Sequence, residues 1–265
     1  MPQAGLKCHL YGNISIDKCP TCPVPCHPEP ALRAILEGAR TPKRGSYSVT
    51  ELPKSYKCVY LERNNDYFVK PENLIPSTLG TSWHEKVEKH ANSRYLVEQP
   101  FETTINGLTF TGRCDIIDTV LKIMWDLKNI AWYPVEIILK NDWDDSTYKY
   151  QLNAYRHFIY PEAKEMWLDI AIRDWKKWIL EKYGCTRWVK IQVPFVSLED
   201  TMAYVTERIT RHAEIQETGK PPDCTKSEMW MKKDGPTFCL DYCGGADYCD
   251  QFKQWKQDHN YEEAT

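Results

Sequence analysis

Three aspartates and two lysines stand inside CDIIDTVLKIMWDLKN, Cys114 to Asn129, in what otherwise reads as two apolar strands. Side chains alternate along a strand, so in IMWDLKN the residues Met124, Asp126 and Lys128 share one face and Trp125 and Leu127 the other. A short connection near Asp118 and Thr119 brings Asp115, on the preceding strand, beside Asp126. Paired carboxylates hold a hard cation such as Mg2+, which lowers the pKa of a bound water and neutralises charge on phosphate oxygens. A neighbouring ammonium orients the attacking water or stabilises the developing negative charge. An amphipathic hairpin with Asp115, Asp126 and Lys128 in solvent uses the same pattern without chemistry. This stretch alone does not separate the two readings.

The elements around it set the frame. YLVEQPFETTINGLTFTGRCDIIDTVLKIMWDLKN has the β-branched, aromatic and alternating character of successive strands, with Asn106-Gly107 as a hairpin turn. Before it, IPSTLGTSWHEKVEKHANSR reads as a helix capped by Ser77 or Thr78, with His84 and Glu88 one turn apart on one face. After it, DDSTYKYQLNAYRHFIY reads as a second helix, and Gln151 and Tyr155 share a face in the same way. EMWLDIAIRDW and WVKIQVPFV read as further strands, and SLEDTMAYVTERITRHAEIQETG as a helix capped near Ser197. The order helix, three strands, helix, two strands, helix predicts a mixed α/β domain. His90 and His157 read as plain surface histidines.

At 265 residues the chain is long enough for one large domain, or one with small appendages. No apolar run approaches the ~20 residues that span a bilayer, and MPQAGLKCHLYGN lacks a signal-peptide core, so an intracellular place is expected. A formal net charge of -3 supplies no global attraction to nucleic acid, so such binding needs a local basic patch or metal ions. RDWKKWILEKYGCTRWVK, Arg173 to Lys190, offers one: Lys176, Lys177 and further basic residues alternate with three tryptophans and a tyrosine, which suits phosphates and unpaired bases. Core packing of Trp175 and Trp178 beside solvated lysines reads equally well.

Eleven cysteines without an export signal point to metal ligation more than to disulfides. Cys8, Cys19, Cys22 and Cys26 form an N-terminal group suited to a structural zinc knuckle, with His9 and His27 as possible substitutes. On this pattern residues 1–45 read as a Cys-rich appendage and residues 46–265 as the core. A C-terminal group holds Cys224, Cys239, Cys243 and Cys249, while Cys58, Cys114 and Cys185 stand apart; Cys114 and Cys185 read as small core residues.

The order GTSWH with His84, GRCD with Asp115, DLK with Asp126 and Lys128, and QLNAY with Gln151 and Tyr155 resembles the PD-(D/E)XK nuclease superfamily, in its RecB-like exonuclease branch, over roughly residues 46 to 250. The resemblance implies a restriction-endonuclease-like core, a mixed central sheet flanked by helices. It implies that His84, Asp115 and Asp126 bind Mg2+ or Mn2+ with the main-chain carbonyl of Leu127, that Lys128 assists catalysis, and that Gln151 and Tyr155 line the DNA path. Glu88 is then a second-shell group or a solvated helix glutamate. SVTELPKSYKCVYLE, with Ser48, Leu52 and Cys58, resembles the segment that opens iron-sulfur members of the branch. Those members carry three C-terminal cysteines spaced two and then five residues apart; here Cys239, Cys243 and Cys249 are spaced three and then five. The resemblance implies a 4Fe-4S cluster on Cys58, Cys239, Cys243 and Cys249. Cys224 in PPDCTKSEMW is the alternative fourth ligand, in a local C-terminal site that could hold zinc instead. PPDCT ahead of such a tail looks like phage-encoded proteins of the superfamily.

The function implied is a Mg2+- or Mn2+-dependent deoxyribonuclease, an exonuclease on single-stranded DNA or DNA ends in replication, recombination or repair, in the cytoplasm of a prokaryotic or phage-infected cell. A DNA-trimming nuclease of the CRISPR-adaptation type is the runner-up. A catalytically idle DNA-binding or scaffolding subunit is a third reading, against which the intact Asp126-Leu127-Lys128 triplet argues. Membrane association is not expected; a recombination or replication protein is a possible partner.

Overall fold

The computed structural model describes residues 3–8, 10–15, 17–23, 27–37, 43–143 and 147–261. In chain order the elements are β1 (Gln3–Cys8), β2 (Gly12–Ser15), α1 (Glu29–Leu36), β3 (Ser46–Ser48), α2 (Tyr56–Asn64), β4 (Tyr67–Val69) and α3 (Pro71–Glu88). Then come β5 (Tyr95–Ile105), β6 (Leu108–Asp118), β7 (Ile123–Ile130), α4 (Trp132–Asn141), α5 (Thr147–Phe158), β8 (Glu165–Ile172), α6 (Lys177–Tyr183) and β9 (Trp188–Gln192). The chain closes with α7 (Leu198–Thr218), α8 (Thr237–Asp241) and α9 (Asp250–Asp258). Among the described residues no helix is long and apolar enough to cross a membrane.

The chain folds as two compact units, one of Ser46–Pro53 and Leu79–Ile209, the other of Met1–Gly45, Lys54–Thr78 and Thr210–Thr265. The first is a mixed α/β layer structure. Its sheet runs in the order β3-β6-β7-β8-β9, with β5 also on β6; β3–β6 and β7–β8 are parallel and the other pairs antiparallel. The β5–β6 hairpin turns at Asn106 and Gly107, both with positive φ, as that dipeptide predicts. Phe110, Ile117, Met124, Met166, Leu168 and Ile170 are the sheet's share of one buried core, to which α4, α5, α6 and α7 contribute Val135, Leu152, Ile179 and Val205. Cys114 and Cys185 are buried in it, as the sequence suggested.

In the second unit β1 pairs with β2 antiparallel and with β4 in parallel. A segment read from sequence as an appendage thus shares a sheet with residues 67–69, a pairing between distant stretches that no local pattern announces. Leu6, Cys19, Leu32 and Leu36 pack beneath it.

Ser77 and Thr78 do not cap α3. The helix begins at Pro71, a residue suited to the first turn because its missing N–H has no helical partner. Both hydroxyls lie inside it and donate to the Leu74 carbonyl, at 2.8 and 3.0 Å. Ser197 does cap α7: its Oγ accepts from the Asp200 amide at 3.0 Å.

Candidate active site

The β6–β7 ladder pairs Asp118 with Ile123, Ile117 with Met124 and Ile116 with Trp125, and stops there. Asp115 and Asp126 are the next opposed positions, on the same face as Ile117 and Met124. Instead of a further ladder bond, Asp115 Oδ2 accepts the Leu127 amide at 2.6 Å. The turn that sets this register is fixed by Asp118. Its Oδ1 accepts from the amides of Val120 and Leu121 at 3.0 Å, and Arg94 pairs with the same carboxylate at 2.7 Å.

Asp126 is held from two sides. Lys128 Nζ pairs with its Oδ2 at 2.5 Å, and Gln151 Nε2 donates to its Oδ1 at 3.2 Å and to the Tyr155 hydroxyl at 3.0 Å. Gln151 and Tyr155 are both buried, so they position Asp126. Gly112 makes room for them: a Cβ there would stand 2.8 Å from the Tyr155 ring and 2.4 Å from that of Phe101.

His84, on α3, meets Asp115 across Glu98. His84 Nδ1 lies 2.8 Å from Glu98 Oε1 and 3.6 Å from Asp115 Oδ1, and Arg113 Nε pairs with Glu98 Oε2 at 2.9 Å. Glu98 sits where the β5–β6 register passes from Val97–Ile116 to Gln99–Cys114, with φ at 53°. A non-glycine residue in that region costs about 1–2 kcal/mol, and here the distortion aims a carboxylate at the site. One ligand atom each from His84, Glu98 and Asp115 lies within 4.8 Å of the others.

The charges explain what the arrangement accepts. Burial, and then the facing Asp126, push the Asp115 carboxyl up to about 7. Burial opposes the charge on Lys128, but Asp126 and Asp115 outweigh it and hold the ammonium above the ordinary lysine range. The hydrogen bond to Glu98 raises His84; burial works against the Glu98 charge, but His84 and Arg113 keep that carboxyl below its usual range. The buried carboxyl of Asp115, the buried side chain of Asp126 facing it and the imidazole of His84 beside them are the oxygen and nitrogen donors a hard divalent cation takes. These residues fit such an ion.

Glu98 was not legible in sequence; YLVEQPFE reads as an ordinary alternating strand. Glu88, the expected neighbour of His84, is exposed, and so is His90, whereas His157 is half-buried and burial lowers its pKa. Lys176 and Lys177 are exposed at the start of α6. The segment leading to them is tied to the end of β7, since the Arg173 amide donates to the Ile130 carbonyl at 2.9 Å and the Trp132 amide to Asp174 Oδ1 at 2.6 Å. Trp175 is half-buried and donates to the Cys185 carbonyl, while Trp178 is 43% exposed and meets Trp132 edge to face, their ring centroids 6.2 Å apart.

In the other unit the C-terminal thiols gather. Cys224, Cys239, Cys243 and Cys249 pack together with Met229, Ala246 and Phe252. Cys58 Sγ lies 3.3 Å from Glu62 Oε1, and these two and Cys243 form a second three-donor group within 4.8 Å. Burial pushes the Cys239 thiol up to about 12 and that of Cys224 to about 11. Thiols packed in one cluster, Cys239 and Cys249 buried and Cys224 and Cys243 half-buried, with Cys58 beside Cys243, are donors of the kind a thiophilic metal or an iron-sulfur cluster takes, and its charge would stabilise the thiolates. Of the N-terminal group, Cys19 is buried and Cys8 and Cys22 half-buried; Cys26 and His9 lie outside the described residues.

No protein-family model and no curated protein matches the chain. Among solved structures, the crystal structure of SSO0001 is 17% identical, with a TM-score of 0.48, and the match covers 80% of this chain and 89% of that one. A phage-related exonuclease from Haemophilus somnus 129PT is 11% identical, with a TM-score of 0.38, over 64% of this chain and 81% of that one.

Proposed function

We propose that the chain is a metal-dependent nuclease that hydrolyses phosphodiester bonds in DNA, as an exonuclease on single strands or ends. The observation that carries this reading is Asp115 and Asp126 opposed where the β6–β7 ladder stops, with Lys128 paired to Asp126 and His84 beside Asp115. A Mg2+ or Mn2+ ion held by His84, Asp115 and Asp126 would lower the pKa of a bound water and neutralise charge on the scissile phosphate. Lys128, kept protonated by its two carboxylate neighbours, orients the attacking water and stabilises negative charge as it develops on the phosphorus oxygens. Gln151 fixes one oxygen of Asp126 and the Leu127 amide fixes one of Asp115, so both carboxylates are set before substrate arrives. Lys176, Lys177 and Trp178, beside the end of β7, supply cations and a stacking surface for the strand. The C-terminal thiols hold a thiophilic centre that staples their own unit.

The test is cleavage of end-labelled single- and double-stranded DNA with Mg2+ or Mn2+ against EDTA, for wild type and Lys128→Ala. Metal-dependent cleavage that falls by about 100-fold or more in Lys128→Ala, with unchanged circular dichroism, supports the reading, since one lost transition-state donor costs that much. Full activity of the variant, or no cleavage with either metal, overturns it.

A further inference from the structure

The face of α5 that carries Gln151 and Tyr155 continues one turn toward the helix start, to Tyr148. Gln151 and Tyr155 are engaged with Asp126 and with each other, through the bonds of 3.2 and 3.0 Å from Gln151 Nε2. Tyr148 meets the other member of the pair. Lys128 Nζ stands 5.3 Å from the centroid of its ring. The same ammonium pairs with Asp126 Oδ2 at 2.5 Å, so it is held between a carboxylate and an aromatic face.

The Tyr148 ring is half-buried against the core of the sheet. Its hydroxyl makes no hydrogen bond among the described residues. Burial raises the phenol above its ordinary range, and Asp126 adds to the rise against the pull of Lys128 and Arg173, so the oxygen keeps its proton at neutral pH. Arg173 follows the last residue of β8, and its amide is bonded to the carbonyl of Ile130 at the end of β7. Two cations, Lys128 and Arg173, thus act on one hydroxyl that has a proton to give. A phosphate drawn to those cations meets a donor between them.

We propose that Tyr148 is a further catalytic residue of phosphodiester cleavage: its ring holds the Lys128 ammonium in place, and its hydroxyl donates to a non-bridging oxygen of the scissile phosphate. The inference rests on the nuclease reading and deepens it. The hydroxyl keeps its proton throughout the reaction. Its hydrogen bond strengthens as negative charge develops on that oxygen, so the contact favours the transition state over the bound substrate. The ring acts through Lys128, by limiting where the ammonium can stand.

The full-length protein is assayed with Mn2+ and an end-labelled single-stranded oligonucleotide, beside Tyr148→Phe, which keeps the ring, and Tyr148→Met, which fills the space without one. Tyr148→Phe is expected to lose about 100-fold in kcat, the cost of one preorganised donor, with KM and Mn2+ affinity unchanged. Tyr148→Met is expected to lose about a further 2–30-fold, the worth of a cation–π contact. Tyr148→Leu takes its place if circular dichroism shows that methionine costs the fold. Substrates with sulfur in place of either non-bridging oxygen then locate the bond, because sulfur is a weak acceptor. At one of the two diastereomers wild type should be slowed by more than Tyr148→Phe is. Equal sulfur sensitivity of the two proteins at both diastereomers overturns the proposal. So does a fall in Mn2+ affinity that accounts for the lost turnover, since Tyr148 would then only support the carboxylates. A ring-less variant no slower than Tyr148→Phe sinks the role of the ring. Wild type that cleaves while Tyr148→Phe matches it overturns this inference alone, whereas wild type that cleaves nothing overturns the nuclease reading and this inference with it.

Discussion

Asp115→Asn should make the metal-free protein more stable at pH 8 while abolishing cleavage. The Asp115 carboxyl sits at about 7, against an ordinary value of 3.8, because it is buried and faces Asp126. A folded-state pKa above the unfolded one means that the protonated form carries the stability. That stability is fully present below about pH 4 and is lost as the pH rises through about 7. Roughly three pKa units at 1.36 kcal/mol each give about 4 kcal/mol as the ceiling of the loss. The value of about 7 already reflects the offset from Lys128 and His84, and roughly two of those three units are lost between pH 5 and pH 8, so a change of about 2–3 kcal/mol over that window is expected. Asparagine keeps an acceptor for the Leu127 amide and removes the charge, so the variant should lose most of this pH dependence. The assay is urea unfolding in EDTA at pH 5 and pH 8, followed by tryptophan fluorescence, then repeated with Mn2+. At 100 times its dissociation constant the ion should restore about 2.7 kcal/mol to wild type and nothing to the variant. A variant no more stable than wild type at pH 8, or a wild type equally stable at both pH values without metal, would refute the claim that opposed carboxylates are the destabilising element.

Glu98→Gln should weaken metal binding by about 10–100-fold, as the loss of a group that orients a ligand does, with turnover at saturating Mn2+ much less affected; equal loss of turnover at all metal concentrations would place Glu98 elsewhere in the mechanism. The same substitution should lower the pKa of His84, read by NMR of the imidazole, since the Glu98 hydrogen bond is what raises it most. Asp118→Ala should destabilise the sheet unit by about 2–3 kcal/mol, because two turn amides and Arg94 lose a charged partner, and thermal melts without metal check this. The Arg94 pairing, foremost, holds the Asp118 carboxyl down at about 2, so this contribution is present above about pH 4 and disappears as the pH falls through 2; the variant's acid transition should be correspondingly flatter.

What the sequence disclosed were features specified by near neighbours. The Asn106-Gly107 turn, the shared face of Asp126 and Lys128, and the Ser197 cap each depend on residues within a few positions, where strand alternation and capping geometry act directly. Gln151 and Tyr155 share a helix face by their spacing, but the contact of Gln151 with Asp126 becomes legible only once the fold turns that face toward it. Glu98 escaped because a glutamate in the left-handed region has no local signature; its φ is imposed by the register on both sides. Helix α4 escaped because WYPVEIILKN places a proline and β-branched residues where a strand reads equally well. For Glu62 a signal existed, the one-turn spacing from Cys58, yet its meaning appears only once Cys243, far along the chain, is brought against both.

The division of the chain between the two units has a consequence for the order of assembly during synthesis. Everything the unit with the six-stranded sheet needs, including His84, Asp115, Asp126 and Lys128, has been made once residue 209 leaves the ribosome, whereas the cysteine unit draws on all three of its segments. Cys58 must wait for Cys243, 185 residues later, which at about 5–20 residues per second is on the order of 10–40 s. Throughout that interval its thiol has no C-terminal partners. The sheet unit is therefore ready first, and closure of the cysteine unit becomes the slow, oxidation-prone last step, so that oxygen exposure during expression should yield chains with a formed sheet unit and an unclosed cysteine unit.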